Sequence, residues 1–316
     1  MKRDLEIAAL DGLGLRTTLF EPDGHASAAI IMSGATAVPR GYYSAFASYL
    51  AGCGAAVVTY DYRGSGEPPA QLRQSPARMR DWGELDAPGV IAWLRARYPE
   101  LPLYLVGHSY GGHALLLAPN NHLVSRAVTI ASFLGYWGNC LFPDNYRIYA
   151  LMKLVVPVAT ALFGYSPGSR MGFGEDLAAG VALEWRRWVL RPRYFLDDPT
   201  LLSLRNGANY RGDLIMLALT DDRWAKRAAI EGLAAAFTGT TPRIMAVDPE
   251  TYGSNGAGHM GFFRSANGEA LWPIVREALN LQGERDGHAA PLRVYVGEST
   301  RHRAIDGGET APRVDA

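Results

Sequence analysis

The amino-acid sequence predicts an α/β protein with a mostly parallel central sheet, helices on both of its faces, and an inserted helical segment. Three observations lead to this prediction. Short apolar runs alternate with amphipathic helical stretches along most of the 316-residue chain. One stretch, 103–118, changes directly from a strand pattern to a helix pattern. The alternation stops at Phe133 and resumes after Arg205.

The first part of the chain has strand patterns around one helix. The first two strands are joined at Asp11-Gly12, a dipeptide typical of hairpins. A predicted helix, Gly41–Leu50, is ended by Gly52 and Gly54, and one of its faces carries Tyr42, Phe46, Tyr49 and Leu50. The strands predicted here are Leu5–Ala9, Leu13–Phe20, Ala28–Met32 and Ala55–Tyr60.

The remaining elements continue the alternation on both sides of the inserted segment. The predicted strands are Leu103–Val106, Ala127–Ala131, Asp213–Leu219 and Arg243–Val247. The predicted helices are Trp82–Tyr98, the stretch after the turn at Ser109, Ala225–Phe237 and Leu271–Leu279.

The length of the chain favours one large domain with an insertion over two independent domains. We assign residues 1–132 and 206–282 to the core. Residues 133–205 are rich in aromatic residues and helix formers, and we interpret them as a helical cap. Residues 283–316 are polar and contain glycine and proline, so we expect a loosely ordered tail, in which 293–296 could form an edge strand.

The stretch 103–118 carries the strongest motif, Gly107-His108-Ser109-Tyr110-Gly111. A G-x-S-x-G string between a strand and a helix is typical of a nucleophile elbow, which exposes its serine on a sharp turn. Glycine is needed at Gly107 and Gly111 because a Cβ there would collide with the neighbouring strand or helix. The helix N-terminus behind Ser109 favours negative charge. We therefore predict Ser109 as a nucleophile.

A serine hydroxyl needs a base, and the base needs a carboxylate that orients it. His259 lies in a glycine-rich loop after the last predicted strand. Asp221 and Asp222 follow the strand that ends at Leu219, so either carboxylate could face the carboxyl edge of the sheet. The order serine, aspartate, histidine is the order used by α/β-hydrolases.

From about residue 5 to residue 282 the chain resembles the α/β-hydrolase superfamily. The resemblance lies in the motifs SGAT (33–36), DYRGSG (61–66), GHSYGG (107–112), TDD (220–222) and GHMGFF (258–263). A tryptophan pair, Trp185 and Trp188, is similar to one in a bacterial group of predicted serine hydrolases with a cap. The resemblance implies an α/β-hydrolase fold with a catalytic triad. It also favours Asp222 over Asp221, because the family acid usually precedes a turn like Arg223-Trp224.

An oxyanion hole requires two backbone N–H donors. We predict the N–H of Tyr110, directly after the nucleophile, and the N–H of Ala35 in the turn after an early strand. The family usually has His-Gly where this chain has Ser33-Gly34. Because the donor is a main-chain group, the substitution need not remove it.

Composition excludes several other functions. The net charge is zero, which argues against a nucleic-acid binder. The two cysteines, Cys53 and Cys140, form neither a disulfide framework nor a metal motif, and we expect no metal and no cofactor. The N-terminus lacks the apolar run of a signal peptide, and no stretch has ~20 uninterrupted apolar residues, so we expect a cytoplasmic protein without an integral membrane span.

Some features have simpler interpretations. His108 and His113 flank the serine, yet neighbouring side chains on the elbow point elsewhere, so we expect them to pack. The apolar stretch 152–163 could touch a membrane surface. Because Pro157 interrupts it and it carries a single cation, we interpret it as a cap helix over an apolar pocket.

Together these observations predict a serine hydrolase that acts on a carboxylic ester or related acyl compound with an apolar moiety. Two alternatives stay open: an acyltransferase that uses the same triad, and a non-catalytic binding module. Fold and triad are shared by many acyl substrates, so the sequence identifies neither the natural substrate nor the oligomeric state.

Overall fold

The computed structural model describes residues 1–281, so the predicted tail at 283–316 lies outside the described residues. An eight-stranded sheet forms its centre, in the order β1-β2-β4-β3-β5-β6-β9-β10. The strands of this sheet are β1 (Lys2–Ala8), β2 (Gly14–Phe20), β3 (Ala28–Ser33), β4 (Ala55–Tyr60), β5 (Leu103–His108), β6 (Arg126–Ile130), β9 (Asp213–Leu219) and β10 (Arg243–Val247). Two short strands, β7 (Tyr165–Ser166) and β8 (Leu177–Ala178), pair separately.

Helices cover the sheet and fill the long connection between β6 and β9. They are α1 (Ser44–Gly52), α2 (Pro69–Gln74), α3 (Met79–Asp81), α4 (Ala87–Arg97), α5 (Tyr110–Leu117), α6 (Asp144–Ala150), α7 (Val156–Phe163), α8 (Gly168–Met171), α9 (Ala179–Val189), α10 (Arg227–Ala234) and α11 (Gly268–Ala278). Single π-helical turns, Trp82–Asp86 and Leu151–Val155, join α3 to α4 and α6 to α7.

The fold prediction is confirmed, and the sheet is mostly parallel. β1 and β2 form the predicted antiparallel hairpin, and β2 pairs antiparallel with β4. All the other neighbours in this sheet pair parallel. Every residue of β3 and β4 is buried, as expected for strands that helices cover on both faces. The parallel strands therefore bring the loops after β3, β5, β6, β9 and β10 to one edge.

Residues 133–205 contribute no strand to the central sheet. They hold α6–α9, but also the antiparallel pair β7–β8, which the sequence analysis missed. Strands of two residues are too short to show an alternating pattern in the sequence. A bridge between Ser65 and Leu177 joins this small sheet to the loop after β4.

A buried ionic cluster also attaches this segment to the rest of the protein. Arg80 of α3 lies 2.7 Å from the Glu184 carboxylate and 3.3 Å from the Asp198 carboxylate. Trp188 donates its indole N–H to Asp198 at 2.9 Å. All four residues are buried. Buried charges are stable only beside partners of opposite charge. The cluster therefore holds α9 and the chain after it at a defined position.

Candidate active site

The turn between β5 and α5 has the geometry of a nucleophile elbow. Ser109 has φ 51° and ψ −107°, a combination that non-glycine residues rarely adopt. Its N–H donates to the Ile130 carbonyl at the end of β6, at 2.9 Å. The neighbouring sheet strand thus fixes the strained turn, and Ser109 stays partly exposed above it.

The glycines around Ser109 are required by close approach, as the sequence predicts. A Cβ on Gly107 would lie 2.8 Å from the backbone of Gly111. A Cβ on Gly111 would lie 2.1 Å from the Ser33 carbonyl oxygen in β3. A Cβ on Gly112 would lie 2.6 Å from the Ser132 hydroxyl. Helix α5 can therefore start directly against the sheet only without these side chains.

The structure brings Ser109, His259 and Asp222 together. The Oγ of Ser109 lies 3.1 Å from Nε2 of His259, and Nδ1 of His259 lies 2.7 Å from Oδ2 of Asp222. When Nδ1–H donates to the carboxylate, Nε2 is left free to accept the serine proton. The loops after β5, β9 and β10 supply one group each, although residues 109 and 259 are 150 positions apart.

The two adjacent aspartates make different contacts. Asp222 accepts from His259 through Oδ2, and its Oδ1 accepts from the Trp224 N–H at 2.8 Å. Oδ2 of Asp221 accepts instead from the N–H groups of Ala257 and Gly258, at 2.6 and 2.8 Å. Asp222 thus orients the imidazole, and Asp221 holds the loop that carries it.

Hydrogen bonding keeps Asp222 ionised although it is buried. Burial alone would raise the pKa of this carboxyl, but the hydrogen bond with His259 and two backbone N–H donors outweigh it and lower the pKa below its usual value. The side chain of Asp222 is fully buried, and that of His259 is 8% exposed. The rings of Trp224 and Phe133 pack beside the imidazole at centroid distances of 4.8 and 5.6 Å.

The two N–H groups predicted to bind the oxyanion differ in whether they already have an acceptor. Tyr110 is the first residue of α5, so its N–H has no acceptor within the helix. Ala35 lines the same cavity, but its N–H donates to the Tyr43 hydroxyl at 2.8 Å. In this arrangement the Tyr43 hydroxyl therefore occupies the Ala35 N–H, and the oxyanion role of Ala35 stays a prediction. Thr36, the next residue of the turn, also lines the cavity.

His108 takes part in a buried network that the sequence analysis missed. Its Nδ1 lies 2.9 Å from the Tyr43 hydroxyl, and its Nε2 lies 2.9 Å from the backbone carbonyl of His259. Burial lowers the pKa of His108 to about 3, so the ring is neutral. A neutral ring can accept from Tyr43 and donate to His259, which links the turn at Ala35 to the histidine loop.

His113 is also buried and faces the inserted segment. Its Nε2 lies 2.8 Å from the Phe133 carbonyl oxygen, and its ring packs against Tyr194 and Phe195. Burial lowers its pKa to about 4. Neither His108 nor His113 hydrogen-bonds to the Ser109 or Asp222 side chain.

Ser109 and His259 face a cavity of about 340 Å³. Its walls are mostly apolar and come from both the core and residues 133–205, a composition typical of small-molecule sites. The lining from the inserted segment includes Phe133, Ile148, Leu151, Met152, Phe173, Trp185, Val189 and Tyr194.

No competing chemistry is evident in this cavity. Cys140 is the thiol that lines it, and burial raises the pKa of this thiol to about 12, so it stays protonated and unreactive. Within residues 1–281, no group of three histidine, cysteine, aspartate or glutamate side chains could hold a metal ion. The arrangement is therefore suited to attack by a serine on an electrophile bound in an apolar pocket.

Comparisons with known proteins agree with this fold. An esterase of Pyrococcus furiosus superposes with a TM-score of 0.57 at 15% identity, over 89% of this chain and 90% of its own. A monoacylglycerol lipase of Paleococcus ferrophilus gives 0.53 at 13% identity, over 85% and 100%. An acylaminoacyl peptidase of Pyrococcus horikoshii gives 0.56 at 14% identity, over 92% of this chain and 43% of its own. At these identities the likeness shows the fold alone.

The sequence itself identifies the family. No curated protein matches it significantly. The model of the alpha/beta hydrolase family matches residues 29–271, well over half of the chain. This range includes the elbow serine, the buried aspartate and the histidine loop described above. The chain therefore belongs to the alpha/beta hydrolase family.

Proposed function

We propose that this protein is a serine hydrolase that cleaves a carboxylic ester, or a related acyl compound, with an apolar moiety. One observation carries the proposal: Ser109 Oγ lies 3.1 Å from His259 Nε2 while Asp222 holds Nδ1 at 2.7 Å. Both distances are within hydrogen-bond reach for proton transfer from serine to imidazole.

In the proposed mechanism Ser109 Oγ attacks the acyl carbon as its proton passes to Nε2 of His259. The imidazolium then gives this proton to the leaving alkoxide, which leaves an acyl-serine. Water then attacks the acyl-serine as one of its protons passes to Nε2 of His259, and the imidazolium returns this proton to the leaving Ser109 Oγ as the acid is released. Asp222 stays ionised throughout and stabilises the imidazolium, in agreement with its lowered pKa.

The tetrahedral oxyanion needs two donors. The N–H of Tyr110, at the start of α5, is one of them. The second comes from the turn after β3. There the N–H of Ala35 can serve only when it releases the Tyr43 hydroxyl, and Thr36, the next residue of the turn, lines the same cavity.

The cavity supports the choice of substrate. Aliphatic and aromatic side chains dominate its lining, so binding is driven by burial of an apolar acyl or alcohol group. We propose that residues 133–205 act as a cap, because they supply much of this lining. We also retain the proposal of a cytoplasmic location.

The proposal is tested with p-nitrophenyl esters of graded acyl length and with a fluorophosphonate probe. We expect ester turnover and covalent labelling, and a drop in kcat/KM of about 10⁴-fold in Ser109→Ala. Ser265, exposed beside the histidine loop, supplies the matched control. Ser265→Ala should keep both the ester turnover and the covalent labelling. Labelling that persists in a folded Ser109→Ala protein would refute the mechanism.

A further inference from the structure

The chain from Asp144 to Phe163 forms one continuous helix of 20 residues that includes α6 and α7. Pro157 does not break it, contrary to the sequence-based expectation. The π-helical turn Leu151–Val155 precedes the proline, and Val156 N–H bonds to the Leu151 carbonyl across this wider turn. The turn shifts the hydrogen-bond register just before the residue that lacks an N–H.

The two sides of this helix have different surroundings. Its inner side, including Ile148, Leu151 and Met152, lines the cavity above Ser109, as a helix over an apolar pocket should. Its outer side is also apolar but lies in solvent. We define the outer face as Tyr146, Ala150, Leu154, Val158, Ala161 and Leu162, all of which are exposed.

The exposure of the outer face is large for such residues. Leu154 is 63% exposed, Val158 is 58% exposed and Leu162 is 75% exposed. They recur four positions apart, so they form a stripe along the helix. The apolar surface continues to Phe142, whose ring lies 6.3 Å from that of Tyr146. A contiguous exposed patch of this kind marks an interaction site.

The charged residues beside the outer face are mostly cations. From residue 145 to residue 174 the sequence contains no aspartate or glutamate, although the whole chain has 31 of each sign. Arg147 lies near the start of the helix with its side chain 76% exposed, and Lys153 is exposed in the middle. At the other end the exposed Arg73 donates to the Phe163 carbonyl. Asp144, at the first turn, pairs with Arg223 at 2.8 Å and with Arg147 at 3.4 Å.

An apolar stripe flanked by cations and free of anions complements a bilayer with anionic headgroups. We propose that the outer face of helix 144–163 docks the protein on such a lipid surface, with Leu154, Val158 and Leu162 entering the acyl region. Arg147, Lys153 and Arg73 then meet the headgroups. The inner side of the same helix lines the cavity, together with the half-exposed Phe173, so the docked helix is also a wall of the proposed substrate pocket.

The helix lies on the membrane and does not cross it. It is long and apolar enough to span one by length and composition, with a mean hydropathy of 1.4. Its inner side, however, forms the cavity wall, and Arg186 and Arg73 donate to the carbonyls of Met152 and Phe163. Crossing a bilayer would break these contacts and open the cavity.

Vesicle flotation tests the proposal on the full chain, with phosphatidylcholine alone and with a phosphatidylcholine–phosphatidylglycerol mixture. We expect binding to the mixture that weakens as salt rises. Replacing Leu154, Val158 and Leu162 together by serine should lower the vesicle affinity more than about 10-fold. Arg147→Gln with Lys153→Gln should lower it about 10-fold on the anionic vesicles only.

Leu202, which is 70% exposed outside this surface, supplies the matched control, and Leu202→Ser should bind as the unchanged protein does. All variants should keep turnover of a water-soluble ester within about twofold. Flotation measures vesicle binding and does not require catalysis. The docking proposal can therefore fail while the proposed reaction holds, and the reverse. Absence of binding, or equal binding by the triple variant, would overturn it. A dimer that the triple variant dissociates would do the same, because a second copy would then cover the face.

Discussion

The carboxyl edge of the sheet and residues 133–205 meet at one cavity, yet they are built differently. At the sheet edge, parallel ladders position the loops that carry Ser109, Asp222 and His259. In the inserted segment, by contrast, β7 and β8 pair over only two residues each. It is attached by the Arg80 cluster and by packing of aromatic rings.

This difference separates two contributions to the proposed activity. Strained backbone and buried hydrogen bonds, such as those of Ser109 and Asp222, require a rigid support, which the central sheet provides. The inserted segment gives the cavity most of its apolar lining and exposes an apolar face. Changes at the sheet edge should therefore affect the chemical step, and changes in the segment should affect stability, substrate binding and surface contacts.

The largest effect should come from the acid at the sheet edge. In Asp222→Asn the one amide oxygen stays with the N–H groups of Trp224 and Ala225, so the amide NH2 faces Nδ1 of His259. This favours the tautomer with its proton on Nε2, which cannot accept the proton of Ser109. We expect kcat/KM for a short ester to fall by about 10⁴-fold with little change in melting temperature. Steady-state kinetics and thermal unfolding on the same preparation measure both.

Asp221→Asn is the matched control, because Asp221 is the sequence neighbour and its Oδ2 accepts from the backbone of the histidine loop. An asparagine oxygen can still accept from Ala257 and Gly258, so we expect a loss of about 10-fold or less. Equal losses in the two variants would mean that loop position, and not the carboxylate on His259, limits the reaction.

The sequence predicted the sheet edge better than the inserted segment, for physical reasons. The parallel strands of the core are short, mostly apolar runs between turn residues, and such local patterns are visible in one sequence. The glycines at 107 and 111 similarly report local crowding. Residues 133–205 have no regular alternation, so β7, β8 and the outer helix face became evident only in three dimensions.

Contacts between distant residues were also beyond sequence reasoning. Tyr43 appears in the sequence as one aromatic residue of a predicted helix, yet its hydroxyl meets the Ala35 N–H and His108. His108 contacts the His259 carbonyl across 151 positions. No spacing rule predicts such a pair, because its geometry depends on how the loops after β3, β5 and β10 converge.

A smaller effect, on stability, should follow from breaking the attachment of the inserted segment. Arg80→Met leaves Glu184 and Asp198 buried with less compensating charge. We expect the free energy of unfolding to fall by about 3 kcal/mol. This corresponds to a decrease in melting temperature of roughly 5 to 10 °C, measured by calorimetry.

Arg227 provides the control, because it pairs with Glu231 on the surface and both side chains are about half exposed. Arg227→Ala should cost less than about 1 kcal/mol. If the two arginine variants melted alike, the buried cluster would not be what secures the segment, and the contrast between the two regions would have to rest on aromatic packing.

The effect that is smallest per pH unit is a pH dependence of stability, which comes from His108 at the sheet edge and His113 against the inserted segment. Burial lowers the pKa of His108 to about 3 and that of His113 to about 4, from 6.5. Between these values and 6.5 the unfolded chain binds more protons than the folded one. Each histidine therefore contributes stability that is fully present above pH ~6.5 and lost as the pH falls, by about 1.4 kcal/mol per pH unit.

Urea unfolding at a series of pH values separates the two contributions. His113→Gln can still donate to the Phe133 carbonyl but does not titrate, so the decline below pH ~6.5 should become shallower by about 1.4 kcal/mol per unit. His108→Gln should do the same at the sheet edge. If only His108→Gln changed the slope, His113 would gain its proton without global unfolding. The inserted segment, whose Tyr194 and Phe195 cover that ring, would then open separately from the sheet.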